Sequence, residues 1–106
     1  VADNGAAAGI ALGGRPVGPL DVDLRWVGGI MYRNSEIEET GLAAGVLGHP
    51  ALGVAWLANK LGAMGTALEP GHLVLAGSFT RVVFAQKGDT LHADFGPLGG
   101  LAIQFI

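Results

Sequence analysis

The chain contains no cysteine, and only 14% of its 106 residues are charged. Without cysteine, a disulfide scaffold, a zinc ribbon and a thiol nucleophile are excluded for these residues, and the composition is compatible with a reducing, cytoplasmic setting. Six basic against nine acidic residues give a formal net charge of −3, and the basic residues are dispersed along the chain. The sequence therefore lacks the cluster of basic residues that is typical of a nucleic-acid-binding surface.

A targeting or membrane segment is also not apparent in the sequence. The first four residues, Val1 to Asn4, lack the basic start and apolar run of a signal peptide, and they lack an initiator Met. The stretch from Gly41 to Asn59 has no formal charge, but His49-Pro50 and several glycines interrupt it. A spanning helix needs about 20 mostly apolar residues without such a break. We therefore expect no membrane span and a chain that begins inside a longer gene product.

Half of the residues are hydrophobic and nineteen are glycine, which predicts one folded domain with many turns. The patterns predict an α+β fold with a curved, antiparallel or mixed sheet that closes toward a roll. The main helix is predicted over Pro50 to Ala63, with wide apolar coverage that indicates burial on more than one side. Strands are predicted at 10–12, 24–33, 36–40, 72–76, 80–86, 90–95 and 99–106, with a hairpin turn at 34–35 and, at 28–29, a bulge or a close approach of another backbone.

The polar residues offer few candidates for chemistry. Glu36, Glu38 and Glu39 form an acidic cluster, for which a solvated hairpin face is favoured over a metal site because no third strong ligand accompanies Glu36 and Glu38. The three histidines lack the short spacing of a zinc motif; His49 is interpreted as a helix cap. Lys60 is interpreted as a surface lysine of the helix rather than a buried base.

Two short segments remain as candidate binding sites. Ser78 and Thr80 follow Gly77 at a predicted strand end, where hydroxyls and exposed N–H groups would suit an anion or carboxylate, although a simple turn explains the same residues. Asp3 and Asn4 precede small residues and would orient a polar ligand or form a turn. The residues alone thus define a glycine-rich α+β domain.

Several segments carry a resemblance to a known family. They are Val1 to Asn4, Leu12 to Gly14, Val22 to Leu24, Val46 to Pro50, Val54 to Lys60, Leu75 to Ser78 and Gly88 to Thr90. In this order and spacing the chain resembles the C-terminal part of the hydratase/decarboxylase family of the meta-cleavage pathway of catechol breakdown, within the fumarylacetoacetate hydrolase superfamily. Segments such as Leu24 to Val27 and Gly77 to Arg81 look more like 4-oxalocrotonate decarboxylase than 2-oxopent-4-enoate hydratase.

The resemblance implies that residues 1–106 are the C-terminal portion of one catalytic domain, whose upstream part belongs to a longer polypeptide, called here the parent protein. It implies a magnesium-dependent enzyme that decarboxylates a 2-oxo-3-enedioate, with hydration of a 2-oxo-enoate as the alternative. The family's metal carboxylates and catalytic lysine lie upstream, so neither Glu36-Ile37-Glu38 nor Lys60 takes these roles. An alternative of another class is an inactive fragment that binds or oligomerises through exposed strand edges.

The resemblance also implies the site, the core and the partners. Asp3 and Asn4 match a pair that borders the active site, and Ser78, with Gly77 beside it, matches a small hydroxyl residue that lines the 2-oxo acid pocket. The helix belongs to the superfamily's curved β-roll, with Trp56 and Leu57 in the core. A homo-oligomer and a complex between the decarboxylase and the hydratase are expected.

Overall fold

A computed structural model describes residues 8–106 of the chain. They form a four-stranded sheet, one α-helix and three short 3-10 helices. The main elements are β1 (Gly28–Arg33), β2 (Glu36–Leu42), α1 (Ala51–Ala63), β3 (Thr90–Asp94) and β4 (Gly100–Gln104).

The sheet has the strand order β2-β1-β3-β4, and each of its three pairings is antiparallel. The prediction of an α+β fold with one main helix is confirmed. Over residues 8–106 the sheet is antiparallel and not mixed, because β1–β2 and β3–β4 join through short connections while β1 and β3 pair across the middle.

The β1–β2 hairpin follows from its turn. Asn34 and Ser35 have φ values of 51° and 70°, the left-handed conformation of both central residues in a type I′ turn, whose twist matches that of the flanking strands. The predicted turn is therefore confirmed. β1 begins later than predicted, because the Asp23 carboxylate accepts the N–H of Arg25 and caps a 3-10 helix at Leu24–Trp26.

The irregularity in this hairpin does not lie at the predicted glycines. Met31 faces Glu39 and Tyr32 faces Ile37, so Glu38 is the extra residue of a β-bulge. The prediction of a bulge at Gly28-Gly29 is wrong. The alternative prediction was a close approach of another backbone; the groups that approach Gly29 are instead the side chains of Phe79 and Phe95, and the Phe79 backbone lies against Gly41.

Helix α1 closely matches its prediction in position but not in packing. The imidazole Nδ1 of His49 accepts the N–H of Ala51 at 3.1 Å, as expected of a cap. Gly65, with φ of 76°, ends the helix in a left-handed conformation. The expectation of a helix buried on several sides is wrong for this chain: no residue of α1 is buried, and Trp56, predicted in the core, is 64% exposed. The helix stands across an open groove from the sheet and does not pack onto it.

Three predicted strands form no ladder in this structure. The segments 10–12, 72–76 and 80–86 belong to no sheet of the described residues. Their apolar, β-branched composition favours an extended chain, but a strand also needs a neighbour to receive its main-chain hydrogen bonds, and residues 8–106 supply none.

The buried core is correspondingly small. The buried apolar side chains of the described residues are Val27, just before β1, Ala43, just after β2, and Leu91 and Ala93 of β3. The helix α1 has thirteen residues, and no helix within residues 8–106 is long and apolar enough to cross a membrane.

Candidate substrate-binding site

The loop that carries Gly77 and Ser78 forms a tight polar turn. Ser78 Oγ donates to the Thr80 carbonyl at 2.9 Å and accepts the Thr80 N–H at 3.2 Å. A serine hydroxyl has one proton and two acceptor positions. The turn therefore uses the proton and one acceptor, and Ser78 binds a carboxylate only if its proton rotates away from Thr80. Gly77, at φ of 109°, takes a conformation that side-chain-bearing residues rarely adopt.

Phe79 fixes this turn to the sheet. Its side chain and carbonyl lie over Gly29 of β1 and Gly41 of β2, which face each other across the hairpin. A Cβ atom on Gly29 would come within 2.6 Å of Phe79 Cε2, and one on Gly41 would overlap the Phe79 carbonyl oxygen. The ring of Phe95 packs edge-on against the ring of Phe79, with the two ring centroids 6.3 Å apart. The absence of side chains on two paired glycines thus positions Ser78, the residue before Phe79.

An apolar groove of about 720 Å³ opens between α1 and the sheet next to this turn. Ala76 and Phe79, on either side of Gly77-Ser78, both line it, so Ser78 stands at its rim. The other lining residues come from one face of α1 and from the connections around the sheet; they are Pro19, Leu24, Val27, Ala43, Pro50, Ala51, Val54, Ala55, Ala58, Phe95 and Leu98. The result is an apolar groove with a polar turn at one edge.

Arg33 ties the stretch after Ser78 to the hairpin. Its guanidinium donates to the Phe84 carbonyl at 3.1 Å and pairs with the Glu38 carboxylate at 2.7 Å. Glu38 is therefore engaged in an ion pair, and the Glu36-Ile37-Glu38 triplet does not present two free carboxylates on one face.

A second, polar depression was not foreseen from the sequence. It measures about 390 Å³ and is lined by residues 19–25 together with His49. Asp23 and Arg25 form an ion pair of 2.8 Å on its wall, and this hydrogen bond lowers the pKa of Asp23 below its ordinary range. The Asp-x-Arg spacing before a 3-10 turn was the available signal. Because Asp23 and Arg25 satisfy each other, the depression has no free charge from this pair.

The remaining polar candidates lie apart from one another. His72 Nδ1 accepts the Glu69 N–H at 3.0 Å, His92 stacks on Tyr32 of β1, and Lys60 is exposed, as interpreted from the sequence. Within residues 8–106 no three His, Cys, Asp or Glu side chains are grouped so that they could hold a metal ion. The donor set of the described chain therefore does not fit a magnesium site by itself. Asp3 and Asn4 lie outside the described residues.

Comparison with known proteins gives the same family as the sequence motifs. No family model matches the chain. A 2-oxo-hept-4-ene-1,7-dioate hydratase of Escherichia coli is 58% identical over all 106 residues, and a 4-oxalocrotonate decarboxylase of Pseudomonas putida is 38% identical over the same length. The solved structure of 4-oxalocrotonate decarboxylase from Pseudomonas putida G7, complexed with magnesium and adipate, matches 89% of this chain with a TM-score of 0.81 and 38% identity. The chain belongs to the hydratase/decarboxylase family.

The chain corresponds to a C-terminal part of the family's members, and it spans 40% of the length of the two relatives and 36% of the solved decarboxylase. That decarboxylase structure contains magnesium. The relatives are named as hydratases and decarboxylases, and more than half of each relative's polypeptide has no counterpart in these residues.

Proposed function

We propose that the chain is the C-terminal portion of a hydratase/decarboxylase catalytic domain and that the parent protein is a lyase acting on a 2-oxo-enedioate. The observation that carries this proposal is the Ser78 turn at the rim of an apolar groove, in a chain 58% identical to a hydratase of such a substrate. A 2-oxo-enedioate has charged oxygens at its ends and an unsaturated hydrocarbon chain between them. A polar turn beside an apolar groove matches this arrangement of charged ends and an apolar middle.

The turn's contribution in this proposal is binding and orientation. The main-chain N–H groups of Gly77 and Ser78 have no hydrogen-bond partner within the described chain, so they are free to donate to a carboxylate. Ser78 Oγ would add a third donor once its proton leaves the Thr80 carbonyl. The apolar groove would hold the hydrocarbon part away from water. Asp3 and Asn4 stay predicted neighbours of this site.

Hydration is the first candidate reaction, because identity to the hydratase of Escherichia coli exceeds identity to the decarboxylase by twenty percentage points. In hydration, water adds across a carbon–carbon double bond, forming one C–O and one C–H bond. Decarboxylation, favoured by the motif resemblance and the structural match to the decarboxylase, breaks a C–C bond and releases carbon dioxide.

Magnesium belongs to this proposal as a cofactor of the parent protein. It stabilises negative charge on an enolised 2-oxo acid by Lewis-acid neutralisation. Since residues 8–106 do not group three ligands, its ligands are expected from the polypeptide upstream, as the resemblance implies.

The reaction is tested on the parent protein with 2-oxo-hept-4-ene-1,7-dioate and 2-oxo-3-hexenedioate, each with and without magnesium. Loss of substrate without carbon dioxide identifies a hydratase, and release of one carbon dioxide per substrate identifies a decarboxylase. Turnover of neither substrate would overturn the proposal. Co-purification with the other enzyme of the pair, and the mass of the native particle, test the proposed hetero-complex and homo-oligomer.

The role of Ser78 has its own test. Ser78→Ala in the parent protein should raise KM about tenfold, the effect of losing one hydrogen bond to a charged group, and should also lower the melting temperature, because the two hydrogen bonds to Thr80 are lost. Ser78→Thr keeps the hydroxyl and should restore most of the affinity. An unchanged kcat/KM in Ser78→Ala would remove Ser78 from the binding site.

A further inference from the structure

The Ser78 turn lies between two segments, 72–76 and 80–86, that have no regular secondary structure but in which exposed and half-buried apolar residues alternate. In residues 72–76, Leu73 and Leu75 are exposed, whereas Val74 and Ala76 are half-buried. In residues 80–86, Val82 and Phe84 are 74% and 80% exposed, and Val83 and Ala85 are half-buried. Successive side chains of an extended chain point to opposite sides. Each segment therefore presents an apolar row to solvent as well as one to the protein, a pattern typical of strands covered on both faces.

Most of the main chain of both segments is free to pair, although the N–H and C=O of Thr80 are bonded to Ser78 Oγ and His72 and Gln86 are held in turns. Within the described residues, no backbone group from residue 73 to residue 85 bonds another backbone group. Arg33, at the Phe84 carbonyl, supplies a side-chain contact instead. If the apolar rows were covered by a small ligand or by a helix, these N–H and C=O groups would be buried without partners, which is costly. A covering element that itself consists of strands satisfies both requirements.

The exposed area is large enough for such a cover. The chain exposes 7850 Å², whereas a compact protein of its 10.7 kDa exposes about 5500 Å². The excess, about 2300 Å² on one partner, is of the size of a permanent interface. The hydratase and decarboxylase relatives are two and a half times as long as this chain, since it spans 40% of each. The polypeptide needed for the cover is therefore present in proteins of this family.

We infer that residues 72–76 and 80–86 are two β-strands that pair with strands of the remaining polypeptide of the parent protein, and that this pairing encloses the Ser78 turn. The inference rests on the proposed function only in requiring the parent protein. In the enclosed state, the N–H groups of the turn face a site shielded from water, where hydrogen bonds to a carboxylate are strengthened.

Amide hydrogen exchange of the intact parent protein, followed by mass spectrometry, tests the pairing. Peptides that cover 72–76 and 81–85 should exchange at least about 100-fold more slowly than an unstructured chain and in the same range as β3. Exchange at the unstructured rate would overturn the inference. Protection that disappears when an oligomer is diluted to monomers would also overturn it, because the partner strands would then belong to a second copy.

A pair of variants tests the cover through side chains. Phe84 is exposed in this structure, so Phe84→Glu should be harmless if the segment stays uncovered. If strands of the parent protein cover it, the carboxylate is buried without a partner, and the melting temperature should fall by roughly 5–10 °C. Lys87→Glu adds the same group at the adjacent exposed turn and should leave the melting temperature within about 1 °C. Equal melting temperatures for the two variants would contradict the inference. Neither measurement uses turnover, so a parent protein with protected strands and no lyase activity would refute only the proposed function.

Discussion

The packing of Phe79 against Gly29 and Gly41 gives a specific prediction about how this chain positions its candidate site. Gly29→Ala and Gly41→Ala both place a methyl group where Phe79 now lies. In the first variant the new atom meets the Phe79 ring, at 2.6 Å from Cε2, and in the second it meets the Phe79 carbonyl oxygen and carbonyl carbon. A ring can swing aside, but a carbonyl moves only with its main chain. Gly41→Ala should therefore be the more damaging change.

The magnitudes follow from packing. Forcing an extra methyl into a filled space costs about 1–3 kcal/mol, and replacing glycine by alanine in a strand returns roughly 0.5–1 kcal/mol. We expect a net loss of about 1 kcal/mol for Gly29→Ala and about 2 kcal/mol for Gly41→Ala. In a parent protein of family length, 2 kcal/mol lowers the melting temperature by roughly 4–8 °C. Gly28→Ala is the matched control, since its new atom would meet only the Gly41 oxygen, at an ordinary 3.8 Å.

The assay is chemical and thermal denaturation of the parent protein, extended to a double-mutant cycle with Phe79→Ala. In the Phe79→Ala background, Gly29→Ala should lose most of its cost because the ring is gone. Gly41→Ala should keep most of its cost because the carbonyl remains. If Gly41→Ala is as stable as Gly28→Ala, or if Phe79→Ala rescues both variants equally, the proposed packing of Phe79 against Gly29 and Gly41 is refuted.

Three further predictions concern the hairpin, the turn at 86–89 and the helix. Ser35→Gly should stabilise the parent protein by about 0.5–1 kcal/mol in denaturant titration, because glycine takes the left-handed conformation of Ser35 without steric cost; a destabilised variant would contradict the type I′ turn. The Asn34 amide and then the Gln86 N–H lower the pKa of Asp89 from its ordinary 3.8, so the carboxylate form stabilises the fold above that pH and this contribution is lost as pH falls through the lowered pKa. Asp89→Asn should accordingly show a shallower loss of stability below pH 3.8, and identical acid-unfolding curves would refute it. Gly62→Ala, with open space at the new atom, should raise stability by about 0.5–1 kcal/mol in the same titration, and a loss would show that the helix is covered there.

Local signals in the sequence were sufficient for part of the fold. The Asn34-Ser35 turn, helix α1 and strands β3 and β4 each depend on residues close in the chain: turn formers, a capping His49 with Pro50, or alternating apolar side chains. The segments 72–76 and 80–86 show why other predictions differ from the structure. Their composition favours strands, yet a strand also needs a second segment to pair with, and neither of these segments has such a partner within residues 8–106.

The candidate site was predictable in the same partial way. The polar turn at Gly77-Ser78 could be located because glycine followed by hydroxyl residues indicates it. The way this turn packs on the sheet could not be predicted. It depends on Gly29, Gly41 and Phe79, which lie far apart in the chain and meet only through the β1–β2 register. The glycine pair Gly28-Gly29 did signal a close approach, but the approaching group at Gly29 is the ring of Phe79, and its main chain lies against Gly41.

The order of the strands has a consequence for how this domain folds and diversifies. β1 and β3 are neighbours in the sheet, yet the hydrogen bond from Thr90 to Asn34 joins residues 56 positions apart. The segment between them contains β2, the helix, much of the groove lining and the Ser78 turn. Closing it costs chain entropy that the two hairpins do not incur, so we expect β1–β2 and β3–β4 to form before the sheet joins. Since none of the residues that pair β1 with β3 lines the groove, substitutions of groove-lining residues can change the shape of the groove without disturbing this central pairing.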